Sequence, residues 1–313
     1  MIQNFDHAIS AIDTGFFRAQ FDASHLLVHA GRAAFVDVGT NHSIPRLLDA
    51  LDAKGLGVDA VDWVILTHVH LDHAGGAGLA MRKFPNAKLV VHPRGARHMI
   101  DPSALIAGAT AVYGADEIER SYGALVPVPA ERVVEAPEGH VVDLAGRELV
   151  CLDTPGHARH HISIYDDASR AFFTGDTFGL SYREFDTDEG AFILPTSTPV
   201  QFEPEALKAS IARMLEREPQ QMFLTHYSRV ADVTRLAQDL YAQIDAMVAI
   251  AQAHATDADR HSRIAGDLAD LYASRAQAHG CAFDATQVRE LLAMDIELNT
   301  QGLEVWLDKQ RKA

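Results

Sequence analysis

Thr67-His68-Val69-His70-Leu71-Asp72-His73-Ala74-Gly75-Gly76 follows directly on the apolar run Trp63-Val64-Ile65-Leu66. Three histidines and one aspartate fall between residues 68 and 73. Imidazole nitrogens and carboxylate oxygens are the usual ligands of zinc and related divalent ions. His68 and His70 are two residues apart, so on an extended segment they point to the same side. If the chain then turns, Asp72 and His73 face a second position. A histidine-rich surface loop is the plain alternative, but an apolar strand delivering the cluster favours a metal site.

The rest of the composition narrows the setting. A chain of 313 residues accommodates one large α/β domain with an appendage, or two domains. Apolar residues at 48% and charged residues at 22% are ordinary for a globular protein. The 27 basic against 43 acidic residues give a formal charge of −16. With no basic run or stripe, nucleic acid and anionic membrane surfaces are not expected partners. Cys151 and Cys281 lie far apart and form no C-x-x-C, so no disulfide framework is indicated. Met1 to His7 lacks a basic segment followed by an apolar one, and no apolar stretch approaches the ~20 residues of a membrane span. A cytoplasmic, soluble protein is the expectation.

Two β-type runs, Leu26 to His29 and Ala33 to Val38, are joined at Ala30-Gly31-Arg32 and read as a hairpin. Ile44, Leu47, Leu48 and Leu51 recur at helical spacing, and Gly55 supplies a stop. Trp63 to Thr67 reads as a buried strand, Gly75 to Phe84 as a helix, and Lys88 to Val91 as a strand. Asp101-Pro102-Ser103 has the form of a helix cap with proline at the first helical position. Ala104 to Gly123 is then helical with a break near Gly114. Strands follow at Val141 to Asp143, Glu148 to Asp153, Ile162 to Tyr165 and Ala171 to Thr174, then a helix at Pro204 to Leu215 and a last strand at Met222 to Thr225. After Tyr227 only helices are expected. Val233, Leu236, Leu240, Ile244, Met247, Val248 and Ala251 form an amphipathic stripe, and Ile264 to Ala278 and Ala285 to Leu307 continue the texture, with Asp284 as a cap. The division is therefore an α/β catalytic domain over 1–230 and an α-helical extension over 231–313.

Further donors are expected just past apolar strands, where α/β folds assemble their sites. His157 follows Cys151-Leu152-Asp153-Thr154-Pro155-Gly156, Asp176 follows Phe172-Phe173-Thr174-Gly175, and His226 follows Met222-Phe223-Leu224-Thr225. His160 and His161 lie too close to His157 to join it as ligands, and His161 reads as a hydrogen-bonding residue behind the ligands.

These motifs together resemble the metallo-β-lactamase-fold hydrolases. Thr67 to His73 resembles that superfamily's T-H-x-H-x-D-H motif, Thr154-Pro155-Gly156-His157 its second histidine motif, Gly175-Asp176 its bridging aspartate and His226 its last histidine. The resemblance covers roughly residues 20 to 230. It implies a four-layer αββα sandwich with the metals at one edge, carrying here a C-terminal helical extension. It further implies that His68, His70 and His157 hold one ion, that Asp72, His73 and His226 hold the other, and that Asp176 bridges them. An aspartate at 176, where the β-lactam-cleaving members place a cysteine, argues against antibiotic hydrolysis. His70 argues against the flavodiiron proteins, which carry glutamate there. Gly179 stands where N-acyl-homoserine lactonases have tyrosine, and Tyr182 substitutes only if the loop bends differently. Helices after the last ligand are similar to those of the glyoxalase II thioesterases and the quinolone-signal response protein. The run Phe173 to Gly179, Phe178 included, and Pro195-Thr196-Ser197-Thr198-Pro199 resemble a broad subgroup that fixes no substrate.

The expected activity is a dinuclear metal-dependent hydrolase acting through a metal-bridging hydroxide on a small ester, thioester, lactone or phosphoester. Asp72 would relay the proton as the catalytic carboxylate. Two divalent ions are expected, zinc by default, with iron or manganese compatible with the same donors. The alternatives are an iron-dependent oxidoreductase resembling the persulfide dioxygenases, and a ligand-sensing regulatory protein. The C-terminal stripe is expected to roof the site or to support a homodimer contact.

Overall fold

The computed structural model describes residues 1–197 and 200–311, with the backbone alone at 109, 111–113, 115 and 117. Two compact units emerge: one comprises 1–153, 160–175 and 221–229, the other 154–159, 176–220 and the chain from 230 onward.

The first unit carries both sheets up to Arg229. One is seven-stranded in chain order: β1 (Ile2–Phe5), β2 (Ile9–Asp13), β3 (Ala23–His29), β4 (Arg32–Val36), β5 (Val61–Ile65), β6 (Lys88–Val91) and β7 (Val133–Glu135). The other has six strands, β8 (Val141–Leu144), β9 (Arg147–Asp153), β10 (Ile162–Asp166), β11 (Ala171–Gly175), β12 (Gln221–Leu224) and β13 (Ser228–Val230). The pleat decides what each strand residue faces. On β4, Ala34 and Val36 meet Cys151, Ile164 and Phe173 of the second sheet. Ala33 and Phe35 turn the other way, into a core with α1 (Ile44–Ala53), α2 (Leu71–Ala74), α3 (Ala77–Lys83) and α4 (Pro93–Ile100). Phe35 stacks on Phe84 there at 5.3 Å. Two helices, α5 (Ser103–Tyr113) and α6 (Ala115–Tyr122), complete the insert before β7. The α/β class and the paired sheets agree with expectation.

Beyond the sequence reading stand β1 and β2, which extend the first sheet, then β7, α4 and the short β13. Strands therefore do not cease at Tyr227; Ser228–Val230 adds an edge strand too short to leave a pattern. Pro102 takes the cap position itself instead of the first helical one, while the Asp101 carboxylate accepts from Ser103 N at 3.0 Å.

The second unit holds α7 (Pro204–Leu215), α8 (Val233–Ala253), α9 (Arg260–Ala278), α10 (Ala285–Leu291) and α11 (Ala293–Gln310). Asp284 caps α10 by accepting from Gln287 N at 2.9 Å. The α8 stripe is buried at Val233, Leu236, Leu240, Ile244 and Met247, packed on α7, α9 and α11. A division at residue 230 follows chain order, whereas the folded chain interleaves. Segment 176–220 joins the C-terminal helices through Tyr182 Oη donating to Asp295 Oδ1 at 3.0 Å and Ser197 N donating to Asn299 Oδ1 at 2.6 Å. No helix among the described residues is long and apolar enough to cross a membrane, and both cysteines are free.

Candidate metal centre

Parallel pairing of β4 with β5 brings their C-terminal ends to one edge of the first sheet. Asp37 follows β4 and Thr67 follows β5. Asp37 has φ of 52°, the left-handed region that aspartate enters more readily than most residues. Its carboxylate accepts from Thr67 N at 2.8 Å, Thr67 Oγ1 at 2.8 Å and Thr225 Oγ1 at 2.9 Å, beyond β12. One buried carboxyl group thus ties together three strand ends.

The same carboxylate orders the histidine cluster. His73, on the single turn of α2, places Nδ1 2.8 Å from Asp37 Oδ2. A carboxylate there accepts a hydrogen bond, so the proton sits on Nδ1 and the Nε2 lone pair is offered outward. His226 repeats the arrangement, with Nδ1 2.8 Å from the carbonyl oxygen of Phe21. Between the two Nε2 atoms lies Asp72 Oδ2, 3.6 Å from His73 and 3.4 Å from His226. Ligand atoms of Asp72, His73 and His226 all fall within 4.8 Å of one another. His73 and His226 are buried and Asp72 is half-buried. His68 and His70 converge as well: His68 Nε2 lies 2.7 Å from His70 Nδ1, and His68 Nδ1 3.1 Å from Thr67 Oγ1. Gly76 lets the turn close, since a Cβ there would stand 2.5 Å from the Thr40 carbonyl oxygen.

His161 is buried and stacks on His68 at 4.9 Å. Gly175 makes room for it, because a Cβ there would lie 2.6 Å from His161 Nε2. In the second unit His157 Nε2 lies 3.4 Å from Asp176 Oδ2, both side chains buried. The turn bearing His157 is clamped: Gly156 O accepts from Glu203 N at 2.8 Å, Pro155 O from Ser210 Oγ at 2.7 Å and Thr154 O from Thr177 Oγ1 at 3.1 Å. Gly156 has φ of 130°, and a Cβ would meet the Leu207 backbone at 2.3 Å. Phe178 is buried in this unit, and the Tyr182 hydroxyl is committed to Asp295. Thr198 and Pro199 lie outside the described residues.

Two carboxylates beside the cluster escaped the sequence reading. Asp37 has the same placement just past an apolar strand as His157, Asp176 and His226; its signal was masked by assigning it to the strand itself. Asp22 is fully buried. Burial pushes its carboxyl up to about 7, while His226 and His73 pull it down and Asp72 adds a further rise.

Residues 21–226 match the sequence profile of the metallo-beta-lactamase superfamily. The metallo-beta-lactamase fold-containing protein ST1585 of Sulfurisphaera tokodaii is 27% identical over 195 residues, 61% of this chain and 67% of that protein. A hydroxyacylglutathione hydrolase of Acidiphilium cryptum is 29% identical over 237 residues, 75% and 74% of the two chains. Among solved structures, ST1585 superposes with a TM-score of 0.62 at 23% identity, over 77% of this chain and 86% of that one. The chemotaxis sensor ODP, in a peroxy diiron state, gives 0.55 at 17% identity, over 77% and 93%.

Proposed function

Because the chain belongs to the metallo-beta-lactamase superfamily, we propose that it hydrolyses a small-molecule ester or thioester with the help of two divalent cations. The observation that carries this reading is the Asp72–His73–His226 group, in which each imidazole is fixed from behind by an oxygen acceptor at 2.8 Å. Two neutral imidazoles and a carboxylate fit zinc, and iron or manganese equally by donor type. Histidines oriented by a hydrogen bond on the far nitrogen are the usual form of metal-ligating histidine. His68 and His70 offer a second pair of nitrogens. By resemblance to the family motifs, His157 and Asp176 complete the set of seven, Asp176 as the bridge.

Bound cations would supply Lewis acidity and bring a water's pKa towards neutrality. The chain's own part is to hold the imidazoles in one tautomer and to move a proton. Asp72, with its side chain 25% exposed, is the carboxylate placed to accept a proton and return it to the leaving group. Thioesters head the substrate classes because several similar proteins are named hydroxyacylglutathione hydrolases. An aspartate at 176 keeps β-lactams outside the reading. The test is elemental analysis of protein grown with zinc, iron and manganese, joined to turnover of a thioester, ester, lactone and phosphodiester panel. Two cations per chain are expected, with His226→Ala losing one of them and at least about 100-fold in kcat/KM. No more than a trace of metal would sink the reading.

A further inference from the structure

Asp22 stands beside the cluster and is left out of the donor set above. Its backbone neighbours are fastened to the strand end that carries His226: Ala23 N donates to Thr225 O at 2.8 Å, and the Phe21 carbonyl accepts from His226 Nδ1 at 2.8 Å. Thr14 grips it from the other side, its N donating to Asp22 O at 3.0 Å and its hydroxyl to Asp22 O at 3.1 Å and Oδ2 at 3.0 Å. Asp22 has no exposed surface, and its Oδ1 has no hydrogen-bond partner among the described residues. A buried carboxylate oxygen without a donor is strongly disfavoured unless something else compensates it. The fastening of Phe21 and Ala23 to the His226 strand end brings Asp22 to the edge of the cluster, where a bound cation would offset its charge.

We propose that Asp22 is a positioning residue for the cation held by Asp72, His73 and His226, adding a negative charge beyond those of the donor set. The proposal rests on the metal-dependent reading above. A purely structural Asp22 would close the turn between β2 and β3 through Thr14 and nothing more. Asp22→Asn separates the two roles, since it keeps the shape and removes the charge. Metal-free wild type and variant are titrated with Zn²⁺ against a chromophoric chelator, and their thermal unfolding is followed without metal. The expected result is an unfolding temperature no lower than wild type, with one of two cations bound roughly 10–100-fold more weakly and the other unchanged. Unaltered affinity for both overturns the proposal alone, whereas a wild type that takes up no cation overturns the functional reading and the proposal with it. If Asp22→Asn does not fold, Thr14→Val loosens the grip while leaving the charge. A weakening of the same cation by about threefold or more is expected there, and unchanged affinities count against Asp22.

Discussion

Asp37 shows how much a single side chain does at this edge of the sheet. It fixes the ends of β4, β5 and β12 and the tautomer of His73 through one carboxylate. Asp37→Asn replaces an acceptor-only group with one that also donates, so His73 loses its assured partner. Cation affinity is expected to fall roughly 10–100-fold, read by chelator competition; wild-type affinity in a folded variant would show that Asp37 serves the strands alone. His25 allows a prediction on pH. Its ring packs edge-on against the stacked pair Phe173 and Phe223 at 5.4 and 5.5 Å, and burial lowers its pKa from 6.5 to about 4, with Asp37 acting the other way. The unfolded chain therefore binds more protons than the folded one between those values, and stability falls as pH drops through that window. His25→Phe should remove up to about 3 kcal/mol of that acid loss, measured by urea unfolding of metal-free protein at pH 7 and 4.5. An unchanged difference would place the acid sensitivity elsewhere. The candidate donors were legible because imidazoles and carboxylates just past apolar strands stand out. Asp37 and Asp22 were not, since a lone aspartate at a strand end is common, and only the folded chain shows what it touches.

Among the elements, α3 depends on a residue far along the chain. Its last carbonyls lack helical partners, as at every helix end, and Arg132 meets one of them and the turn beyond: Nη1 donates to Met81 O at 2.7 Å, Nη2 to Phe84 O at 2.6 Å just past the helix, and Nε to Ala87 O at 3.0 Å before β6. Arg132→Ala is expected to destabilise by about 2–3 kcal/mol, since a half-buried cation and the carbonyls it serves lose each other at once. Chemical denaturation checks it, and a change under about 0.5 kcal/mol would mean that water replaces the guanidinium without loss. One helix with a strong local signal was readable to the residue. Pro204–Leu215 opens with proline in the first turn and carries a buried face. Elements stabilised by pairing were not: β7 and β13 have three residues each, and α4, Pro93–Ile100, is rich in arginine, histidine and glycine.

For the whole molecule, the interleaved division matters more than chain order. Segment 176–220 buries Phe178, Tyr182, Phe185, Ile193 and Leu194, and partners for it in the same unit come from the C-terminal helices and the loop between α9 and α10. Phe185 packs edge-on to Phe283 at 5.4 Å, Gln243 Nε2 donates to Ile193 O at 2.8 Å, and a Cβ on Gly179 would strike Leu240 at 2.8 Å. A chain ended after Arg229 strips these partners away and should aggregate, because such apolar surface does not stay in water unpaired. A monodisperse truncate with the unfolding temperature of the full chain, by light scattering and calorimetry, would refute this. The sequence showed that the helices exist but not where their apolar stripe goes, since periodicity names a buried face without naming its neighbour. The tie between Thr225 and Asp37 spans 188 positions, and this has a consequence in time. During synthesis at about 5–20 residues per second, Asp37 waits roughly 10–40 s for β12 and His226 to be made. Until then Asp37 lacks one strand end and His73 and Asp72 lack their third companion. A ribosome stalled before that point holds a nascent chain whose Asp72–His73–His226 group is still incomplete.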